Sequence, residues 1–147
     1  MHKPKVFLDS SVIITALLSS KGGSFYILNQ LKDFFIFQTN EYALAEIQEI
    51  FRTKFIKYPN LRNYLFLLLG TVHVVILPNP SKIEITRVQK YISANDSPIL
   101  AGATISSDYL LTLDNEFFNK HVMDFATQKN LIILKPKEFI QTMRGLS

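Results

Sequence analysis

The 147-residue chain is 48% hydrophobic and 19% charged, which excludes intrinsic disorder and supplies apolar material for one packed core. It contains no cysteine, so a disulfide scaffold, a thiolate zinc site and a cysteine nucleophile are excluded together. Lys and Arg number 16 against 12 Asp and Glu, and the net charge of +4 suits a polyanionic partner without requiring one.

In chain order, Lys5–Leu8 is an apolar run of strand length with Asp9 directly behind it. Helical spacing begins at Val12, Leu17 and Leu18, after Ser10 and Ser11, either of which suits an N-cap. Beyond the Gly22-Gly23 break, Phe25, Leu28 and Leu31 mark a second helix, and Phe34–Phe37 reads as a strand. Asn40 is a good N-cap for a helix carrying Tyr42, Leu44, Ile47, Ile50 and Phe51. Asn60 precedes another, with Leu61, Leu65 and Leu68 on one face, and Val72–Leu77 reads as a buried strand. Ser81 opens a weaker helix through Ile85, Val88 and Ile92, and Ser97-Pro98 starts a short apolar one, with Pro suited to the first turn. Tyr109–Leu113 and Leu131–Leu134 read as strands, and Pro136 opens a last helix with Phe139, Ile140 and Met143.

These strand runs are continuously apolar, the pattern of strands buried on both faces of a parallel sheet. Their alternation with helices predicts an α/β three-layer sandwich around a central, mostly parallel sheet of about five strands. No repeat, low-complexity tract or linker interrupts residues 1–147, so one domain is expected. Asp9, Ser10 and Ser11 break the apolar stretch that a signal peptide would need. The most hydrophobic segment, Tyr64–Leu77, is interrupted by Gly70-Thr71 and His73 and is shorter than the about 18–20 apolar residues of a membrane span. A cytoplasmic location without a membrane is the expectation.

In open α/β sheets, ligands bind beyond the carboxyl ends of the strands, near the point where strand order reverses. Asp9 ends the first predicted strand and Asp114 the fourth, while Asp96 starts the helix leading into that fourth strand. Glu46 lies at the margin of its helix's apolar face, half-turned toward the core. Singly, each has a plain structural reading. A strand-end Asp is often a turn residue or cap, Asn95-Asp96-Ser97-Pro98 is a helix-start signal, and Glu46 alone is an ordinary solvated residue. As a set, the four can meet at one edge of one sheet. Two unit charges about 4 Å apart repel by about 4 kcal/mol at an effective dielectric of about 20, so a bare cluster costs stability. A hard cation removes that cost, and Mg²⁺ and Mn²⁺ prefer oxygen ligands, so carboxylates without His or Cys suit them. Such ions serve phosphodiester hydrolysis.

Several motifs carry a family likeness. Val6-Phe7-Leu8-Asp9-Ser10-Ser11-Val12-Ile13-Ile14, the loop Ala16–Ser24, Glu46, Asn95-Asp96-Ser97-Pro98-Ile99-Leu100-Ala101, Ser107–Asp114 and Ile133–Phe139 occur in order along the chain. In these the sequence resembles the PIN-domain family, metal-dependent ribonucleases that include the VapC-like toxins of toxin–antitoxin systems. The resemblance implies that Asp9, Glu46, Asp96 and Asp114 hold Mg²⁺ or Mn²⁺, with Asp9 central. It also implies that Ser10, Ser11 and Thr112 orient ligands or water from behind. Ser11 stands where many members carry Asn, and Asp108 is an extra acid, read as a surface residue. The implied reaction hydrolyses single-stranded or looped RNA to a 5′-phosphate and a 3′-hydroxyl.

Arg52, Lys54, Lys57 and Arg62 interleave with Phe51, Phe55 and Tyr58, a composition that suits phosphate contact and base stacking. The plainer reading is a solvated helix end. Leu61–Leu69 is apolar on more than one face, as in a core helix or an interface with a second copy or an antitoxin. His73 reads as a core residue, nothing in its spacing pairs it with His121 as acid and base, and Lys21-Gly22-Gly23-Ser24 lacks the spacing of a phosphate loop. The expected function is a metal-dependent endoribonuclease, the toxin of a toxin–antitoxin pair. A solitary RNA-processing nuclease is the alternative, or a catalytically weak nucleic-acid-binding module. Retention of all four acids argues against the module. With those four set aside as ligands, the 16 basic residues outnumber the remaining acids two to one.

Overall fold

The computed structural model describes residues 2–145. Strands β1 (Lys5–Leu8), β2 (Ile36–Asn40), β3 (Val75–Leu77), β4 (Tyr109–Leu111) and β5 (Ile132–Leu134) form one sheet in the order β3-β2-β1-β4-β5, every neighbouring pair parallel. Between them run α1 (Ser10–Leu18), α2 (Gly23–Gln30), α3 (Glu41–Lys54), α4 (Leu61–Val72), α5 (Lys82–Val88), α6 (Ser97–Ser106), α7 (Lys120–Gln128) and α8 (Pro136–Gly145). No single helix among the described residues is long and apolar enough to cross a membrane.

The alternation of side chains along a strand divides the core in two. Val6 and Leu8 of β1 face one layer with Val12, Ile13, Ile27, Leu65 and Phe139, from α1, α2, α4 and α8. Phe7, between them, faces the other layer with Leu100, Ala103, Val122 and Ala126, from α6 and α7. This is the three-layer α/β arrangement expected from the sequence. The central strand is buried on both faces, which is why its sequence is continuously apolar.

The edges depart from the sequence reading. Phe34 lies in a turn and is exposed, and β2 instead runs on through Gln38, Thr39 and Asn40. Those polar residues are buried because each has partners. Gln38 Nε2 donates to Ser106 O and Ser107 Oγ, and Thr39 Oγ1 donates to Leu8 O at 2.8 Å. Asn40 accepts from Ala43 N as the N-cap of α3 and donates to Pro98 O. An apolar run is therefore a poor guide to where this strand lies.

Nor is Val72–Leu77 a buried strand. Helix α4 continues to Val72 and ends at His73, which takes the left-handed conformation at φ 61° and donates its N–H to the carbonyls of Gly70 and Leu69. His73 is an exposed helix cap rather than a core histidine. Only Val75–Leu77 pairs, at the sheet edge, where Val75 and Ile76 are exposed. Strands β4 and β5 are shorter than their apolar runs, and the sequence reading did not include α7 or the 3₁₀ turn at Asn115–Phe118.

Candidate functional site

The chain passes from β1 to β2 to β3 on one side of the sheet, then returns to β4 on the other side of β1. The strand order therefore reverses between β1 and β4, and the carboxyl ends of these two strands are where a crevice is expected. Asp9 N donates to Leu111 O at 3.0 Å, extending the β1–β4 ladder by one residue and fixing Asp9 at that switch point.

Asp9 is 5% exposed and is the N-cap of α1, accepting from Ser10 N at 2.8 Å on Oδ1. Its Oδ2 accepts from Ser11 Oγ at 3.1 Å and from Thr112 Oγ1 at 2.6 Å. Burial pushes its pKa up, the nearby Glu46 charge adds to that, and the Thr112, Ser11 and Ser10 donors oppose it. Thr112, fully buried, also accepts from Asp114 N at 3.0 Å, so one hydroxyl ties the two strand-end aspartates together. Ser11 Oγ likewise accepts from Leu113 N. Each of the three hydroxyl residues named from the sequence thus contacts Asp9.

Glu46 does not half-turn into the core. It is exposed, yet it reaches the same edge, because Ser10 Oγ donates to its Oε1 while also lying 3.5 Å from Asp9 Oδ1. Asp96, at the start of α6, makes no side-chain cap bond to the helix. Its carboxyl is pushed up to about 7, first by burial, then by the charge and hydrogen-bonding reach of Asp114, and further by Glu116 and Asp9. Asp114 caps the 3₁₀ turn by accepting from Glu116 N at 3.0 Å. The four predicted acids therefore lie around the carboxyl ends of β1 and β4. They stand as two linked pairs, Asp9 with Glu46 and Asp96 with Asp114. Among the described residues no group of three or more His, Asp or Glu closes on one point.

Glu116 is the residue that the sequence reading missed. It accepts from Ser93 N at 2.8 Å, a bond that lowers its pKa, while Ser93 Oγ sits 3.4 Å from Asp96 Oδ2. Its place two residues after Asp114 was the available signal. Asp108, by contrast, is exposed at the opposite end of β4 and accepts from Lys5 N, consistent with the surface reading.

The donor set is all oxygen and mostly carboxylate, with no His or Cys, which is the chemistry of a hard divalent cation. Burial, then the charges of Asp114, Glu116 and Asp9, disfavour the ionised form of Asp96, and a cation would relieve both. Asp9, Glu46, Asp96 and Asp114 are the residues that would hold it. The basic residues proposed for RNA are elsewhere. Arg52 is ion-paired with Glu49, Arg62 lies over the Phe66 ring, and Lys54 and Lys57 are exposed. Arg52 and Arg62 line a groove of about 410 Å³ with Phe51, Phe55 and Tyr58. Helix α4 buries Leu61, Leu65, Leu69 and Val72 and leaves Tyr64, Phe66 and Leu67 exposed, so it is a core helix with an open apolar face.

Among solved structures, the crystal structure of VapBC2 from Rickettsia felis bound to a DNA fragment from their promoter contains a chain of similar fold. The TM-score is 0.66 at 18% identity, over 89% of this chain and 98% of that one. The fold is PIN-like. No protein-family model matches the sequence. No curated protein matches it either. Asp114 does not end β4 as expected, because pairing stops at Leu111. It lies three residues on as the cap of the 3₁₀ turn, so the switch point between β1 and β4 still accounts for the positions of Asp9 and Asp114.

Proposed function

We propose that the chain is a Mg²⁺- or Mn²⁺-dependent endoribonuclease and the toxin of a toxin–antitoxin pair. The observation that carries this reading is the placement of Asp9, Glu46, Asp96 and Asp114 around the switch point, where burial and then the charges of Asp114, Glu116 and Asp9 raise the pKa of Asp96. A protein gains nothing from such a cluster unless something positive joins it. The toxin assignment is supported by the likeness to a chain of the VapBC2 complex and by the open apolar face of α4, which suits an antitoxin or a second copy.

Within this reading each side chain has a task. Thr112 and Ser11 hold the Asp9 carboxylate by Oδ2, and Ser10 N holds it by Oδ1, fixing its orientation at the end of β1. Ser10 holds Glu46, bringing an exposed helix residue to the same edge. Asp96 and Asp114 close the site from the α6 side, with Glu116 supported on Ser93 beside them. The divalent ion, when bound, supplies the positive charge that makes a water nucleophilic and stabilises the oxygen that leaves. Water oxygen bonds to phosphorus as the 3′ oxygen departs and takes a proton, leaving a 5′-phosphate and a 3′-hydroxyl.

One observation favours a second reading, a nucleic-acid-binding module with little catalysis. The acids stand as pairs rather than as a closed group of three. Cleavage of total cellular RNA, mapped with Mg²⁺, with Mn²⁺ and with EDTA, separates the two. The nuclease reading requires discrete cuts that need metal and disappear in Asp96→Asn. Binding without cleavage under all three conditions selects the module instead.

A further inference from the structure

We propose that the end of the molecule opposite the acids carries a second groove for the RNA phosphate backbone, formed by Arg87, Lys90, Lys129, Lys3 and Lys5. The proposal rests on the nuclease reading for the identity of its ligand. Helix α6 starts at the acidic end beside Asp96 and runs to Ser106 at the other. At about 1.5 Å per residue it spans about 15 Å, so the groove is reached by a strand that extends several nucleotides beyond the acids.

Helices α5 and α7 stand on either side of α6, and Ala101 and Thr104 form the floor of a cleft of about 360 Å³ between them. Through Thr104 and Lys129 this cleft continues into a second depression of about 520 Å³, beside Lys3 and Lys5. Tyr91 and Phe125 both line the first cleft and meet in a stack, with centroids 4.5 Å apart and an interplanar angle of 20°, so the pair forms one continuous aromatic surface of it. Lys90 Nζ lies 5.2 Å from the Tyr91 centroid and Lys129 Nζ 5.9 Å from that of Phe125. The stack thus holds two ammonium groups at the groove by cation–π attraction.

Among the described residues the one ion pair within 4 Å is Arg52–Glu49. Of the five groove cations, Arg87 feels the charge of Glu84 one turn earlier, and the four lysines stand outside any ion pair. The two acids that line the groove also bond to the backbone: Glu84 accepts from Ser81 N in a capping box, and Asp108 accepts from Lys5 N. What remains is an elongated cleft edged by four such lysines, the footprint of a phosphate backbone. An acidic protein would want an apolar anchor at its centre. Here the rings lie beside lysines, and the groove's exposed large apolar side chain is the single Ile105 rather than an apolar centre.

The test is fluorescence anisotropy of a labelled single-stranded RNA with the full chain in EDTA, titrated across a range of salt. Lys90→Gln/Lys129→Gln is compared with wild type and with Lys32→Gln/Lys137→Gln, which removes equal charge through α8 and the end of α2. Two lost phosphate contacts reduce the salt slope by about 1.4 and weaken binding at low salt about fivefold or more. A slope and affinity equal to those of the control variant, or no binding of RNA at all, overturn the proposal. So does polyglutamate that displaces the RNA at equal charge concentration, since that marks an acidic-protein surface. Because the readout is binding, a chain that binds through these lysines and cleaves nothing overturns the nuclease reading alone. A chain that cleaves with an unchanged slope overturns the groove alone.

Discussion

Asp96→Asn in metal-free protein is expected to stabilise the fold at pH 8, because the wild-type carboxylate is half-buried and then held against its acidic neighbours. Its pKa rises from 3.8 to about 7. At about 1.36 kcal/mol per pKa unit that shift is worth about 4 kcal/mol for a fully shielded group. Asp96 is partly exposed, and solvent screening cuts the figure to about 1–2 kcal/mol. Asn also removes a negative charge from the N-terminus of α6, a loss of about 0.5 kcal/mol. No cap bond is lost, since Asp96 makes none. The net gain is about 1 kcal/mol, or about 3 °C in Tm for a chain of this size.

The sign of the pH dependence follows from the raised folded-state pKa. Below about 3.8 Asp96 is protonated whether folded or unfolded, and the penalty vanishes. It grows as pH rises and is complete above about 7. Urea denaturation of both proteins in EDTA, at pH 8 and near pH 4, should therefore show the variant ahead at pH 8 and level near pH 4. A variant less stable at pH 8, or one equally favoured at both, refutes the idea that ionising Asp96 costs the metal-free fold stability.

Thr112→Val removes the 2.6 Å donor to Asp9 and the acceptor for Asp114 N, leaving a buried carboxylate short of a partner. Urea denaturation should show a cost of about 2 kcal/mol that Thr112→Ser largely recovers. Gly102→Ala places a Cβ 2.8 Å from Asn40 Nδ2 and 3.2 Å from Phe7 Cε2, where α6 crosses β1 and β2. Despite the better helix propensity of Ala, thermal denaturation should show a loss of about 1–3 kcal/mol.

The centre of the molecule was legible because both its faces are buried. Val6-Phe7-Leu8 is apolar without a break, and nothing but a parallel core strand fits it together with an Asp at its end. The places of Asp9 and Asp96 follow from the same pattern, since the end of β1 and the start of α6 are set by the sheet, whereas Glu46 reaches the site only through Ser10. What failed was at the margins. Gln38, Thr39 and Asn40 are buried polar residues whose partners lie up to 69 positions away, which no local pattern reveals. The apolar Val75 and Ile76 read as core, but an edge strand has no neighbour to cover it. His73 looked buried because its neighbours are apolar, yet it turns out at a left-handed cap. Glu116 went unseen because its link to Asp96 runs through Ser93, 23 residues earlier.

The central claim is that the acids at the β1–β4 switch point share a divalent-cation site. Electron paramagnetic resonance of Mn²⁺ titrated into the chain tests it most directly, since the sharp signal of free Mn²⁺ collapses on binding. The account predicts a saturable loss of the free signal in wild type and its return in Asp9→Asn. A wild-type signal that tracks free Mn²⁺ throughout, or binding that Asp9→Asn leaves intact, would contradict it.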